Sequence, residues 1–522
     1  MSRHLLLRVL APVAMLVAFL TTAAGASAAA LPGAHISSTT IVPSATYPGL
    51  QHLHYEFGPI AITPGQNTIE IQDNKLRPDV PGYITRFKPD LVCAQTDSTC
   101  GKDHSVPRVD VIHLHHGVWI NNFYPTFAAG EEKTIINVPE GYGYHYDPGD
   151  KWLMNYMIHN LTPNPTSVYI TYDIDFLPDT EPAAQGVTPV HPLWMDVSGP
   201  RFYPVFDAIK GQGRKGVFTF PDQARAAQKS DIGAAHQWTA PRDVTLVGTA
   251  GHLHPGGLWT DLTATRGATS KEVFRSQAKY FEPAGAVSWD VSMTGTKPDW
   301  RVALHAGDRL NVHVAYDTRK ASWYESMGIM VVWYADGVRP EARDPFTQGV
   351  DAGGWLTHGH LPENDNHGGR VDLGLPDART LLSGPTTSNV TIKNFIYGRG
   401  DLTGSGLKGR PPVVRAGQSL TFTNLDALRT MSARNSAYHT ITACRAPCTK
   451  DTGIAYPLAD GSVQFDSGEL GYGPGAGFNK FTPAAQRNTW RTPKSLRPGT
   501  YTYFCRIHPF MRGAFRVVGA KK

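Results

Sequence analysis

Short runs of alternating or β-branched residues, each closed by a turn, recur along this chain, while long amphipathic helical runs are scarce. "NVTIKNFIYG", "QSLTFTNLD", "AYHTITACR" and "GTYTYFCRI" follow one another in the last quarter, and "ESMGIMVVWYAD" has the same character upstream. A side-chain period of two between turn signals is the mark of β-strands. The 52 glycines and 40 prolines supply the breaks. The pattern predicts an all-β protein. Its 522 residues exceed the roughly 250–300 that one core can serve, which predicts about three domains.

The N-terminus, "MSRHLLLRVLAPVAMLVAFLTTAAGASAAA", places Arg3 and Arg8 before an apolar run and ends on the small-x-small triplet Ala26-Ser27-Ala28. That is the layout of a secretory signal peptide, here residues 1–28, and predicts a secreted, extracellular or periplasmic protein. No later segment is long and apolar enough to span a bilayer, so no stable membrane span is expected. Removing two arginines takes the formal charge from +5 to about +3, too weak and scattered for nucleic-acid binding.

Export makes the cysteines informative. Cys93 and Cys100 are close neighbours in "CAQTDSTC", as are Cys444 and Cys448 in "CRAPC". Two local disulfides, Cys93–Cys100 and Cys444–Cys448, use four of the five and leave Cys505 over. An unpaired thiol in an oxidising compartment is a liability unless something occupies it. Cys505 shares the stretch "YFCRIHPFMRG" with His508 and Met511, and His439 stands upstream in "YHTIT". Two imidazoles, a thiolate and a thioether make the trigonal set with a weak axial Met that suits blue copper. Singly, each of these residues is more often core than ligand; the joint spacing points to a metal. The stretch "YTYFCRIHPFMRGAFRV", with "AGQSLTFTNLD…YHTIT" before it, resembles the ligand loop and preceding strand of amicyanin-type cupredoxins. That resemblance covers the last quarter of the chain and implies a Greek-key β-sandwich over residues 386–522 that carries single electrons.

The preceding body holds "VDVIHLHHGVWINN", with His113, His115 and His116, and "LVGTAGHLHPGGLWTDL", with His252 and His254. His-x-His on a strand sends both rings to one face, a natural ligand pair. Adjacent His115 and His116 point oppositely in an ideal strand and need a bulge or a strand end to share an ion. His159 follows in "KWLMNYMIHNLTPNP" and Met327 in "SWYESMGIMVVWYAD". The order His-His, His, His-x-His, Met resembles the copper type II monooxygenases, the family of peptidylglycine α-hydroxylating monooxygenase and dopamine β-monooxygenase. The resemblance runs motif by motif over about residues 50–340. It implies two jelly-roll-type antiparallel sandwiches, residues 31–185 and 186–345, each with one copper, facing each other across a solvent-filled cleft. Carried over, His115, His116 and His159 hold the electron-transfer copper. His252, His254 and Met327 hold the oxygen-activating, catalytic one. His113 has no counterpart and is expected either behind these ligands or as an alternative to one of them.

Some positions depart from the family. Ala250 stands where peptide-hydroxylating members carry a carboxylate-binding arginine, and Ile329 and Val331 replace an asparagine and a tyrosine, so peptidylglycine is not the expected substrate. A third cluster, "GGWLTHGHLPENDNHGG", carries His358, His360, Asp365 and His367. It lies in a His/Gly-rich segment, residues 346–385, that reads as a connector or as a further metal site.

Together these features predict a copper-dependent monooxygenase with three copper ions, one type 1 and two type 2. It would hydroxylate a C–H bond of an unspecified small molecule or peptide with dioxygen. Family members take electrons from ascorbate; here the fused cupredoxin is expected to deliver them, drawn from ascorbate or a redox protein. No GxGxxG leading from a strand into a helix and no CxxCH appears, so no flavin, nicotinamide or haem signature is present. Two alternatives stand beside this. "IHLHHG" is similar to the first His-x-His of multicopper oxidases and nitrite-reductase-like enzymes, but Phe504 and Arg506 flank Cys505 where such oxidases carry histidines. The other is a non-enzymatic copper-binding or electron-transfer protein.

Overall fold

A computed structural model describes residues 36–41, 44–199, 204–226, 228–229, 232–281, 289–319, 321–358, 375–403, 408–427, 437–448, 463–472 and 486–519. The expected signal peptide, and His360, Asp365 and His367, lie outside the described residues. The fold is all-β, as expected: strands run from end to end, and the described helices are short 3-10 turns. No described helix is long and apolar enough to cross a membrane.

The first sandwich packs a seven-stranded sheet, built on Gln51–Ile62, Gly82–Cys93 and Thr166–Pro178, against a four-stranded one. The smaller sheet contains Asn67–Asp73, Trp152–Asn160, Ile112–Asn121 and Tyr124–Ala129 in that order. Between them lie Phe87, Trp119, Phe127, Tyr156 and Tyr172. Cys93 and Cys100 are joined by a disulfide, as are Cys444 and Cys448, and Cys505 stays a buried free thiol.

The second body is an eleven-stranded sheet that includes Val244–Leu253, Gly257–Arg266, Arg309–Asp317 and Gly328–Asp336. Strands Val244–Leu253 and Gly328–Asp336 pair antiparallel, and both of their faces are covered. Leu246, Met330 and Val332 enter the second core, while Val247, Val331, Trp333 and Ala335 enter the first. Burial on both faces explains the continuous apolar run "GIMVVW" where a half-buried strand would alternate. The segment 346–385 is more than a connector: Gly354–Leu356 pairs as an edge strand with Val291–Thr296. Pairing runs through backbone groups, so its polar, glycine-rich composition gave no sign of it.

The C-terminal sandwich has a four-stranded sheet and a five-stranded sheet around Phe422, Tyr501, Tyr503 and Phe515. Two strand pairs in it are parallel, Asn389–Lys393 with Thr421–Asn424 and Val413–Arg415 with Arg512–Val518, so their strands are joined by crossovers instead of hairpins. Its strand Gly499–Phe504 alternates between neighbours. Tyr501 and Tyr503 lie in its own core, whereas Phe504, with Cys444, joins the core of the second body. On the other side, a Cβ at Gly65 of the first sandwich would fall 2.4 Å from the Phe395 ring. Glycine there permits the close approach, and its φ of +63° suits that residue as well.

Candidate metal centres

In the C-terminal sandwich the end of strand Gly499–Phe504 turns sharply through Cys505. Cys505 N–H donates to the Met511 carbonyl at 3.1 Å, and Met511 N–H donates to the His508 carbonyl at 2.8 Å. The turn brings Cys505 Sγ to 3.7 Å from His508 Nδ1 and 3.8 Å from His439 Nδ1. A thiolate and an imidazole bound at about 2.3 and 2.0 Å to one ion stand about 3.5–3.7 Å apart. Backbone N–H groups of Thr440 and His508 also point at the sulfur, at 3.3 and 3.4 Å. Behind His439, Asp426 Oδ2 meets Nε2 at 3.0 Å and fixes the ring with Nδ1 toward Cys505. Burial opposes a charge on His439, but Asp426 and the Cys505 thiol raise its pKa to about 9. Met511 is fully buried in the same loop.

In the first sandwich every residue of strand Ile112–Asn121 is buried. Its register against Trp152–Asn160 pairs His113 with His159, then slips between Leu114 and His116. His115 is the extra residue of a β-bulge, the irregularity that adjacent histidines require to share a face. Ring centroids of His113 and His159 stand 5.1 Å apart, with His115 6.1 Å from each. His113, His115 and His159 thus lie beside one another, outside the two sets whose ligand atoms gather within 4.8 Å. His116 is turned instead toward Asn155, whose Oδ1 lies 3.4 Å from its Nε2, with His252 nearby.

On strand Val244–Leu253 and just beyond it, His252 and His254 share a face; the register places Ile329 opposite His252 and ends with Gly328 opposite Leu253, and Met327 is the residue just before that strand. A carboxylate joins them from the first sandwich: ligand atoms of Glu131, His252 and His254 all lie within 4.8 Å of one another. Each imidazole is held by its Nδ1, His252 on Glu132 Oε2 at 3.0 Å and His254 on the Glu325 carbonyl, which leaves each Nε2 inward. A Cβ at Gly130 would lie 2.3 Å from the His252 ring, so glycine lets this loop close over it. Met327 is buried and packs against Met157, Val205 and Ile329.

The two motifs face each other without the solvent-filled cleft implied by resemblance. His115 and His254 have ring centroids 4.3 Å apart and are 1% and 2% exposed. The reason is the shared core, which seats the outer face of strands Val244–Leu253 and Gly328–Asp336 directly on the first sandwich. Trp289 lies among the rings, 4.3 Å from His113 and 5.5 Å from His254. His159 also meets His508 of the C-terminal sandwich, edge to face at 5.4 Å. His358, the described member of the third cluster, rests on the Lys133 carbonyl at 2.7 Å.

The donor set fits metal. Buried and without a hydrogen-bond partner among the described residues are Nε2 of His113, His252 and His254, both nitrogens of His159 and both carboxylate oxygens of Glu131. Buried polar atoms are normally paired, and the orphans of Glu131, His252 and His254 converge closely enough to hold a cation. Burial pushes His113 down to about 3 and His116 to about 4, and holds His115, His159 and His254 well below the ordinary imidazole range. Neutral imidazoles present lone pairs without first losing a proton. Burial, then Glu132, raises the Glu131 carboxyl well above its usual value.

Sequence reasoning missed Glu131, Glu132, Asp426 and Trp289. "GEEKT" reads as a solvated turn, yet Glu131 through Thr134 are all buried, with Lys133 paired to Asp90. No local pattern marks it. Asp426 stands ahead of "YHTIT", but its contact with His439 joins residues 13 apart in the chain.

No family model matches the chain, and no curated protein matches it. Similar solved structures include a Cu-containing nitrite reductase from Thermus scotoductus, 14% identical over 54% of this chain, with a TM-score of 0.15. The chain spans 59% of that reductase's length. Another is the VP2 subviral particle of infectious bursal disease virus, 8% identical over 62% of this chain and 78% of that one, with a TM-score of 0.16. Likeness at these scores carries no argument about the site.

Proposed function

We propose that this chain is an exported copper oxidoreductase. Its C-terminal cupredoxin passes electrons one at a time to the histidine centre at the junction of the three bodies, where dioxygen is reduced and a C–H bond is hydroxylated. The observation that carries the reading is the His508–His159 contact, ring centroids 5.4 Å apart, which joins a thiolate site to the buried histidine set through two imidazoles.

Copper, when bound, supplies one-electron chemistry at each centre. His439, Cys505, His508 and Met511 would hold the electron-carrying ion, and the N–H groups on Cys505 Sγ stabilise the thiolate. His113, His115 and His159 would hold a second ion beside it. Glu131, His252 and His254 would hold the third, with Met327 just before strand Gly328–Asp336. Glu132 and the Glu325 carbonyl orient the two imidazoles, and burial of the whole group excludes bulk water from it.

A second reading, a multicopper oxidase, is favoured by the His115–His254 contact, which makes one joined centre out of two motifs. Copper content and electron paramagnetic resonance test the first reading, with one blue and two type 2 ions expected per chain. Electron delivery from a protein donor should vanish in Cys505→Ser; unchanged delivery would overturn the relay. Oxygen uptake with reductant separates an enzyme from a copper-binding protein. A hydroxylated product supports the monooxygenase, and complete conversion of dioxygen to water supports the oxidase.

A further inference from the structure

Arg506 follows Cys505 directly, yet only 2% of it is exposed. Its Nε donates to Asp466 Oδ2 at 3.3 Å. Nη1 and Nη2 have no hydrogen-bond partner among the described residues. The ring faces of Trp323 and Phe504 stand 5.6 and 5.7 Å from Cζ, near the outer limit of a cation–π contact. Two buried N–H-bearing nitrogens left unpaired are costly. Arg506 also lines a small pocket at the three-way junction, whose wall includes His115, His159, His254, Tyr324 and Glu325.

We propose that this pocket binds a small anion presenting two coplanar oxygens, held by the free edge of Arg506 against the histidine centre. A guanidinium fork matches that shape with two parallel N–H···O bonds, which neither a lysine nor a neutral donor reproduces. The limited space in the pocket suits a few heavy atoms. Either the carboxylate of an organic substrate or an inorganic oxyanion of the same shape satisfies this chemistry. Asp466 accepts from Arg506 Nε, and Glu325 lines the same wall. A cation on the histidines adds positive charge to that wall, and the anion binds more tightly to the loaded protein. That last point rests on the proposed function; the Arg506 anchor does not.

Calorimetric titration with formate and with nitrite, on metal-free and copper-loaded full-length protein, tests the anchor, with neutral formamide as comparator. Wild type should bind at least one anion, Arg506→Gln should weaken it tenfold or more with or without copper, and Arg506→Lys should fall between. The blue absorption band reports that the neighbouring Cys505 site is intact; should Arg506→Gln lose it, Arg506→Lys decides. Preference for formate assigns an organic carboxylate, and preference for nitrite an inorganic oxyanion. Equal affinity in wild type and variants, no anion binding at millimolar concentration, or formamide binding as tightly would overturn the proposal. Failure of copper uptake would instead sink the functional reading.

Discussion

Replacing Glu131 by glutamine removes a charge only when a cation is present to attract it. In the metal-free protein, burial and Glu132 hold that carboxyl well above its usual range, so the neutral amide is a near-isosteric exchange and the unfolding midpoint should barely move. With metal bound, the variant should lose about 10–100-fold in affinity at the His252/His254 centre, the scale seen when a supporting ligand group is lost. That equals about 1.4–2.8 kcal/mol of metal-dependent stabilisation. Midpoints recorded with and without copper or zinc read this directly; equal metal-induced gains in both proteins would exclude Glu131 from the centre. Residues of this kind mark the limit of a sequence. Cys505 was legible because four other cysteines pair locally and it does not. Glu131 and Arg506 were not, because an acidic turn and an isolated arginine look like solvated surface until the second body covers them.

At the scale of strands, the alternation that makes sheets was visible and the register was not. The "IHLHHG" motif announces a need for a bulge, and His115 supplies it, but which histidines then face inward depends on the slip against Trp152–Asn160. The outer sheet of the first sandwich carries a different array. Cross-strand pairs set His52 against Asp175 at 2.8 Å and His54 against Asp173 at 2.6 Å, with Glu56 beside His54 at 3.2 Å. The hydrogen bond to Asp173 raises the His54 pKa. Burial opposes the Asp173 charge, yet His54 and Lys88 hold its pKa below the usual value. A raised histidine stabilises fully below its unfolded pKa of about 6.5, and that gain is lost as pH climbs through the folded value. A lowered aspartate stabilises above its unfolded value of about 3.9 and loses that gain as pH falls through the folded one. The midpoint difference between wild type and His54→Asn should therefore be largest near about pH 5–6 and shrink in the alkaline direction. A difference that stays constant from acid to alkaline pH would contradict this. The pairs are half-exposed, so the effect is modest.

Over the whole molecule, the first sandwich and the second body are not separable beads. Trp333 is 1% exposed and lies in the first core while its own strand belongs to the second body. Trp333→Ala should cost about 3–5 kcal/mol and lower the midpoint of one joint transition. Two resolved calorimetric transitions, only one of them shifted, would show independent folding. The all-β class followed from turn spacing; the covered interface did not, because a strand buried on both faces looks the same whichever core its second face enters. The seam at Phe504 carries a consequence for speed. The residue before Cys505 is embedded in the core of the second body, so the redox loop cannot swing out to meet a donor and back to meet an acceptor, as a tethered shuttle would. Under the proposed function, donors dock on a stationary port, and electron passage within the chain should keep the same rate in water and in concentrated glycerol.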